Sequence, residues 1–174
     1  GGILLLGDAP INKFGNSASA NFDLDAAFTT YGGSNSTSNS GILRYVRIEF
    51  AGAKVKGLGN FNALFLGGVG NQTSIENVMV TSSGGDSFEV FGGDVVLNKL
   101  ISYKCSSNDF KFNYGAQVNI KNSLVIRASY LQSSSGSRCF YASSYDKKEE
   151  VDFSKKLTSI TATNLTLEIG RAHV

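Results

Sequence analysis

The segments DSFEVFGG (86–93) and NDFKFNYG (108–115) are two versions of one phrase, written 22 residues apart. Phe88 falls over Phe110, Glu89 over Lys111 and Gly93 over Gly115. Each copy follows a second apolar segment, IENVMV (75–80) and LNKLIS (97–102), again offset by 22. IKNSLVI (120–126) and RCFYAS (138–143) continue the series, and ATNLTL (162–167) reads as one more first segment. Upstream, LRYVRIEF (43–50) and NALFLGG (62–68) form the same couple with a longer connection. The organisation is strand, turn, strand and Gly-rich corner, and an internal period of this length signals a solenoid.

Composition narrows the kind of solenoid. Val, Ile, Phe and Tyr dominate the apolar runs, which favours strands, and no helical periodicity extends beyond about two turns. Leucine-rich repeats need a Leu/Asn consensus that is missing. The prediction is an all-β, single-stranded parallel β-helix with turns of about 22 residues over 1–168. Its parallel strands would be stacked roughly 4.8 Å apart. Alternation sends Phe88, Val90, Phe110 and Phe112 inward and Glu89 and Lys111 outward. Phe88, Phe110 and Phe140 then form an aromatic column, each ring contributing on the order of 1.5–3 kcal/mol through burial. Glu89 facing Lys111 across one turn is an opposite-charge surface pair worth about 0.2–1 kcal/mol.

Leu43, Ile75, Leu97, Ile120 and Ala162 are expected to share an inward position. Asn77, Asn122 and Asn164 share another, interrupted by Lys99. They form either an amide ladder at a bend or solvated polar groups; Lys99 favours the second reading. Residues 12–40 break the rhythm and read as a long polar loop with a short strand near Phe28–Tyr31. Residues 144–156 read as a charged, solvated excursion. Loops thrown off one side of a solenoid are where binding is expected, although most are spacers.

The chain has 174 residues, 16 basic and 14 acidic side chains and a formal charge of +2, so nucleic acid is not an expected partner. No stretch approaches the roughly 18 apolar residues of a membrane span, and no signal peptide is present. Gly1 begins in what reads as mid-strand, which predicts a fragment with any export signal upstream. The last six residues, IGRAHV (169–174), resemble one translated frame of a sequencing adapter, predicting a truncated metagenomic read. His173, the only histidine, falls in that tail, so no histidine mechanism is expected. Cys105 and Cys139 are expected as two small buried thiols, with pairing left open. The missing cap after the last turn predicts self-association through open strand edges.

GGILLLGDAPIN (1–12), SGILRYVRIEFAG (40–52), LFLGGVGNQTSIENVMV (64–80) and GGDSFEVFGGDVVLNKLISYK (84–104) carry a resemblance. Together they resemble predicted secreted or surface-anchored right-handed parallel β-helix proteins of Gram-negative bacteria. These are often labelled lipoproteins or type IX-secreted multidomain proteins, and their activity is not established. The likeness covers residues 1–130 well and 131–168 loosely. It implies a right-handed coil and an extracellular or outer-membrane-associated location. Such relatives carry acidic runs before the F-x-F strands; here only Asp86 and Asp109 stand there, which thins any calcium-binding column.

Parallel β-helices often host polysaccharide lyases and glycoside hydrolases. A hydrolase needs two carboxylates roughly 5–10 Å apart across a groove, for which Asp86, Glu89 and Asp109 are the candidates. A lyase needs carboxylate-held calcium and a basic side chain, for which Lys111, Arg127 or Arg138 would serve. The plainer reading has Asp86 and Asp109 tying turns to backbone N–H groups and Glu89 neutralising Lys111. GGVGN (67–71) lacks the Lys-Ser/Thr ending of a phosphate loop and reads as a corner. Sequons at Asn35, Asn71 and Asn164 are chance matches in a bacterial chain. Tyr31, Tyr103, Tyr114 and Tyr130 are candidate sugar platforms, and Glu89, Lys111, Tyr114 and Arg127 candidate ligand contacts. The expected role is a non-catalytic module of an exported protein, a stalk or a surface for glycans or partner proteins. A polysaccharide-active enzyme with its groove along the strands is the alternative.

Overall fold

The computed structural model describes residues 1–20, 25–55, 59–128 and 137–169. The chain opens with β1 (Ile3–Leu6), β2 (Ala18–Ser19), the one-turn helix α1 (Ala26–Thr29), β3 (Thr30–Tyr31) and β4 (Ile42–Glu49). The hairpin of β5 (Lys54–Val55) and β6 (Gly59–Asn60) follows, then β7 (Leu64–Gly67) and β8 (Ser74–Thr81). Next come β9 (Phe88–Phe91), β10 (Asp94–Tyr103), β11 (Phe110–Asn113) and β12 (Gln117–Ile126). The described chain ends with β13 (Phe140–Ala142) and β14 (Ser159–Glu168). These strands stack into two five-stranded parallel sheets, β1-β7-β9-β11-β13 and β4-β8-β10-β12-β14. Each turn contributes one strand to each sheet, so the protein is a parallel β-helix.

The registers place the repeated phrases directly over one another. Phe88 pairs with Phe110, Glu89 with Lys111, and Phe110 with Phe140. The Phe88 and Phe110 rings stack at 5.1 Å, and Phe110 meets Phe140 at 5.2 Å. Leu64 continues the column on the other side, opposite Phe88. In the second sheet Leu43, Ile75, Leu97, Ile120 and Ala162 lie in one row, as the sequence predicts. The middle members are fully buried, whereas Ala162 on the outermost strand is exposed. The spacing is near 22 only in the central turns; Phe140 follows Phe110 by 30 residues because 127–139 form a longer connection.

The Asn positions have a backbone explanation. Tyr45, Asn77, Lys99, Asn122 and Asn164 all adopt left-handed φ between 52° and 55°, in the middle of the long strands. One left-handed residue breaks the in-out alternation. In β10, Val95 and Leu97 point in, Asn98 and Lys99 both lie outside, and Leu100 and Ser102 point in again. Each long strand therefore folds over a corner, and Asn is favoured there because it tolerates this conformation better than other non-glycine residues. The amides also form a ladder that the sequence reading did not favour. Asn164 donates to Asn122 (2.8 Å), Asn122 to Asn98 (3.0 Å) and Asn98 to Glu76 (2.7 Å). It survives Lys99 by stepping sideways onto Asn98. The bend also costs the Leu100 N–H its place in the ladder, and the Ser123 hydroxyl accepts it at 3.0 Å.

Both excursions are anchored to the coil, although 146–149, Phe153, Ser154 and Lys156 of the second are exposed, as its charged sequence predicts. Residues 8–40 lie across the outer face of the first sheet, where Ile11, Ala20, Tyr31 and Phe65 form a second small core with Leu4, Leu6 and Phe91 at its margin. Within this excursion β3 covers only Thr30–Tyr31 and pairs antiparallel with β2, while Phe28 sits in α1 and is 79% exposed. Residues 144–156 fasten onto the same segment. Val151 bridges Lys13, the Asp152 N–H donates to the Asn12 carbonyl (2.8 Å), and Lys13 pairs with Glu150 (2.7 Å). The Gly-rich corners make this closeness possible. A Cβ on Gly92 would lie 2.2 Å from Ile11 Cγ2, and one on Gly115 would lie 2.6 Å from the Lys156 carbonyl.

Cys105 and Cys139 are free and buried. No helix among the described residues is long and apolar enough to cross a membrane. His173 and the 170–174 part of the terminal tail lie outside the described residues, as does Tyr130.

The bend column gives a direct test. A left-handed conformation costs an ordinary side chain on the order of 1 kcal/mol, so Lys99→Asn is expected to stabilise the fold by up to that amount. Asn122→Val, which puts a β-branched residue at the same conformation, is expected to cost at least as much. Urea denaturation midpoints at constant m-value report both changes.

Candidate functional site

The outer column of the first sheet runs Leu4, Phe65, Glu89, Lys111, Tyr141 from turn to turn. Alternation puts all five outside the coil, but Ile11, Ala20 and Tyr31 of the first excursion pack with Phe65, and Lys111 and Asn62 close on Glu89. Glu89 is therefore 3% exposed, a correction to the solvated surface pair expected from sequence. Its Oε1 lies 2.6 Å from Lys111 Nζ, and its Oε2 accepts from the Asn62 amide. Asp86 reaches the same ammonium at 3.4 Å. Lys111 keeps partial exposure and its Nζ stands 5.3 Å over the Phe91 ring. The other oxygen of Asp86 is fully engaged, accepting from Ser107 Oγ (2.6 Å), Asn108 N (2.9 Å) and Asn108 Nδ2 (2.9 Å). Asp86 thus ties a turn, as predicted, but the turn belongs to the next coil, 22 residues on.

Electrostatics follow from the burial. Desolvation pushes the Glu89 carboxyl up to about 7, against the pull of Lys111 and with the Asp86 charge adding to the rise. Burial alone would lower Lys111; Glu89 and Asp86 together hold its ammonium above the usual lysine range. Asn62 joins the group from the loop before β7: it donates to Glu89 and accepts the Asp86 N–H at 3.0 Å. Asn62 opens the repeat segment NALFLGG and stands one turn from Asp86, but an Asn beside a strand start gives no sign in sequence that it will hold a carboxylate.

Asp109 and Arg127 form a separate buried set. Asp109 is 0% exposed and accepts from Ser102 Oγ (2.5 Å) and from the Arg127 guanidinium. Ser102 also contacts Ser87 (2.7 Å), and Arg127 donates to the Ser107 carbonyl (3.0 Å). Both bonds to Asp109 come from side chains, so it does not tie a turn through backbone N–H groups as expected. Burial pushes its carboxyl above the ordinary carboxylate range, and burial with the nearby Asp109 charge likewise raises the Cys139 thiol. Arg127 is consumed by this pair rather than presented to a ligand.

Tyr114 belongs to a third group. Its hydroxyl donates to Asp146 Oδ2 (2.7 Å), Asn113 donates to Asp146 Oδ1 (2.7 Å), and Lys13 lies 4.6 Å over its ring. Burial and the Asp146 bond raise its phenol pKa. Phe91 closes its other face, edge-on at 4.8 Å, and Tyr31 is edge-on to Phe65 at 5.7 Å. Tyr31 and Tyr114 are therefore packing residues rather than open sugar platforms. Tyr103 is half-buried with Lys104 over its ring, and Arg138 stands over Tyr141 at 5.5 Å.

The structure thus unites Asp86, Glu89 and Lys111 and keeps Asp109–Arg127 and Tyr114 in networks of their own. Two carboxylates sharing one ammonium are near enough for paired carboxylate chemistry. However, every oxygen of Glu89 and Asp86 has a protein partner, and little of either is open to solvent. No group of three or more His, Cys, Asp or Glu among the described residues is placed to hold a metal ion.

The Glu89 environment makes stability pH-dependent with a definite sign. Its folded pKa, about 7, lies above the unfolded value near 4.5. The folded state therefore holds the proton more tightly, and this contribution is full below about 4.5 and lost as pH rises through about 7. Glu89→Gln is expected to flatten the fall in melting temperature between pH 5 and pH 8. An unchanged slope in the variant would contradict the assignment.

No curated protein and no solved structure matches this chain. A family model for the pectate-lyase-like β-helix domain matches residues 1–173. With two parallel sheets coiled about one core, and that match along the length of the sequence, the chain belongs to the pectate-lyase-like β-helix family.

Proposed function

We infer that the chain is a non-catalytic β-helix module of an exported cell-surface protein, a rigid stalk whose side loops present a surface to glycans or partner proteins. One observation carries the reading: the best-placed acid and base groups, Asp86, Glu89 and Lys111, spend their polar atoms on each other and on Asn62, Ser107 and Asn108. A general acid or base must reach a proton on its substrate within hydrogen-bond distance. Glu89 is 3% exposed instead, with both oxygens held by Lys111 and Asn62. Membership of a family whose members are often extracellular supports the exported setting.

One observation favours the second reading, a polysaccharide-active enzyme: Glu89 is held near neutrality, where a general acid is most effective. The two separate on product. Incubated with acidic and neutral polysaccharides, the protein is expected to release no new reducing ends and no unsaturated products. Turnover that disappears in Glu89→Gln would establish the enzyme.

A stalk built of stacked strands also has consequences for the isolated chain. Among the described residues, β1 and β4 at one end and β13 and β14 at the other each pair along a single edge. Open edges of this kind template further strands. The isolated 174-residue chain is expected to self-associate with rising concentration in sedimentation velocity; a monomer at every concentration would refute this.

A further inference from the structure

A cleft of about 400 Å³ opens where the two excursions meet the corner of the coil. Pro10, Asn16, Ser34 and Ser36 of the first excursion, the corners at Gly93–Asp94 and Gly115–Gln117, and Ser154–Lys156 of the second excursion converge on it. Its walls are fixed before any ligand arrives. Lys155 Nζ donates to the Lys13 carbonyl (2.8 Å) and to Asn16 Oδ1 (3.3 Å), and Gly93 N donates to the Pro10 carbonyl (2.8 Å). Gln117 ties Gly115 to Leu157, through carbonyl bonds of 2.9 and 2.8 Å.

The groups left over are chemically informative. Among the described residues, the Asp94 carboxylate, the Lys156 ammonium and the hydroxyls of Ser34 and Ser36 line this cleft and make no side-chain hydrogen bond or ion pair. Glu89 and Lys111 neutralise one another on the first sheet, whereas here an acid and a base share one cleft without an ion pair. The exposed ring of Pro10 adds an apolar surface to the lining. A ligand that satisfies the site must donate to a carboxylate, accept from an ammonium, and offer C–H surface to the apolar wall. It need carry no net charge, because Asp94 and Lys156 are of opposite sign and the third charge in the lining, Lys155, already spends donors on the Lys13 carbonyl and Asn16 Oδ1. Vicinal hydroxyls on a pyranose ring do all of this, each hydroxyl being both donor and acceptor. The volume lies at the small end of ligand clefts, which run roughly 300–1,000 Å³, and suits one or two rings rather than a long chain.

We propose that this cleft is a binding site for a neutral saccharide of one or two rings, held by Asp94 and Lys156. The site rests on the reading of the chain as a non-catalytic surface module, and it names the ligand class that such a surface takes. Asp94 accepts ring hydroxyls, Lys156 donates to another, and the Ser34 and Ser36 hydroxyls supply further polar contacts.

The test uses the 174-residue chain with neutral mono- and disaccharides built of glucose, mannose, galactose and N-acetylglucosamine. A galacturonate disaccharide and free amino acids serve as comparisons. Binding is read by saturation-transfer NMR and calorimetric titration. At least one neutral sugar is expected to bind, with affinity reduced tenfold or more in Asp94→Ala and in Lys156→Ala. It should be unchanged in Lys121→Ala, which alters the outer face of the second sheet. Neither cleft side chain holds the fold together, so melting temperatures should match wild type and confirm that lost binding is local. Sugar binding that survives both cleft variants would overturn this site while leaving the surface-module reading intact. Preference for galacturonate or for an amino acid would overturn the ligand class, as would no binding of any neutral sugar by folded protein. Release of new reducing ends would instead overturn the non-catalytic reading on which the site rests.

Discussion

When parallel strands stack at the spacing of backbone hydrogen bonds, roughly 4.8 Å, every side chain acquires a fixed neighbour one turn above and one turn below. The interior then admits only columns of compatible shape, and here Leu64, Phe88, Phe110 and Phe140 occupy one of them. The same constraint acts on the backbone. A bend in one turn must be matched by bends in its neighbours, so Tyr45, Asn77, Lys99, Asn122 and Asn164 share one left-handed conformation although their side chains differ. Ring stacking, amide ladder and corner glycines are all consequences of this vertical register.

The register also forces charged residues together on the outer face. Glu89 and Lys111 are vertical neighbours because the coil makes them so; Glu89 is buried there with Asn62 on its second oxygen, while Lys111 keeps partial exposure. Burying an ion pair gains little net stability, but removing one partner from such a pair typically costs about 3–5 kcal/mol. The pair therefore commits Asn62 and the start of β7 to one seating beside β9. Asp109 and Arg127 form a second such pair at the end of β12. A scaffold locked in this way suits a protein that holds a surface in place, and it puts variable recognition on the segments that leave the coil.

This division also explains which site residues stood out early. Asp86, Glu89 and Lys111 were visible because they belong to the repeated phrase. Their burial was not, since alternation gives only the side of the sheet on which a residue lies. Asp146, Lys155 and Lys156 lie in an excursion that carries no periodic signal, while Asn62 and Asp94 lie on the period at positions whose side chains differ from turn to turn. Tyr31 and Tyr114 look like sugar platforms in a list of tyrosines, yet Tyr31 covers Phe65 and Tyr114 is hydrogen-bonded to Asp146.

The sequence alone determined the coil, the strand phases, the aromatic column and the pairing of Phe88 with Phe110, because a repeat in sequence becomes a translation in space. Tertiary structure alone decided what covers the outer face and where a cleft remains. Lys13 meets Val151 and Lys155 across more than 130 residues, through segments that follow no period. Contacts between two unrelated excursions depend on their common departure from one side of the coil, and nothing in either segment encodes the other.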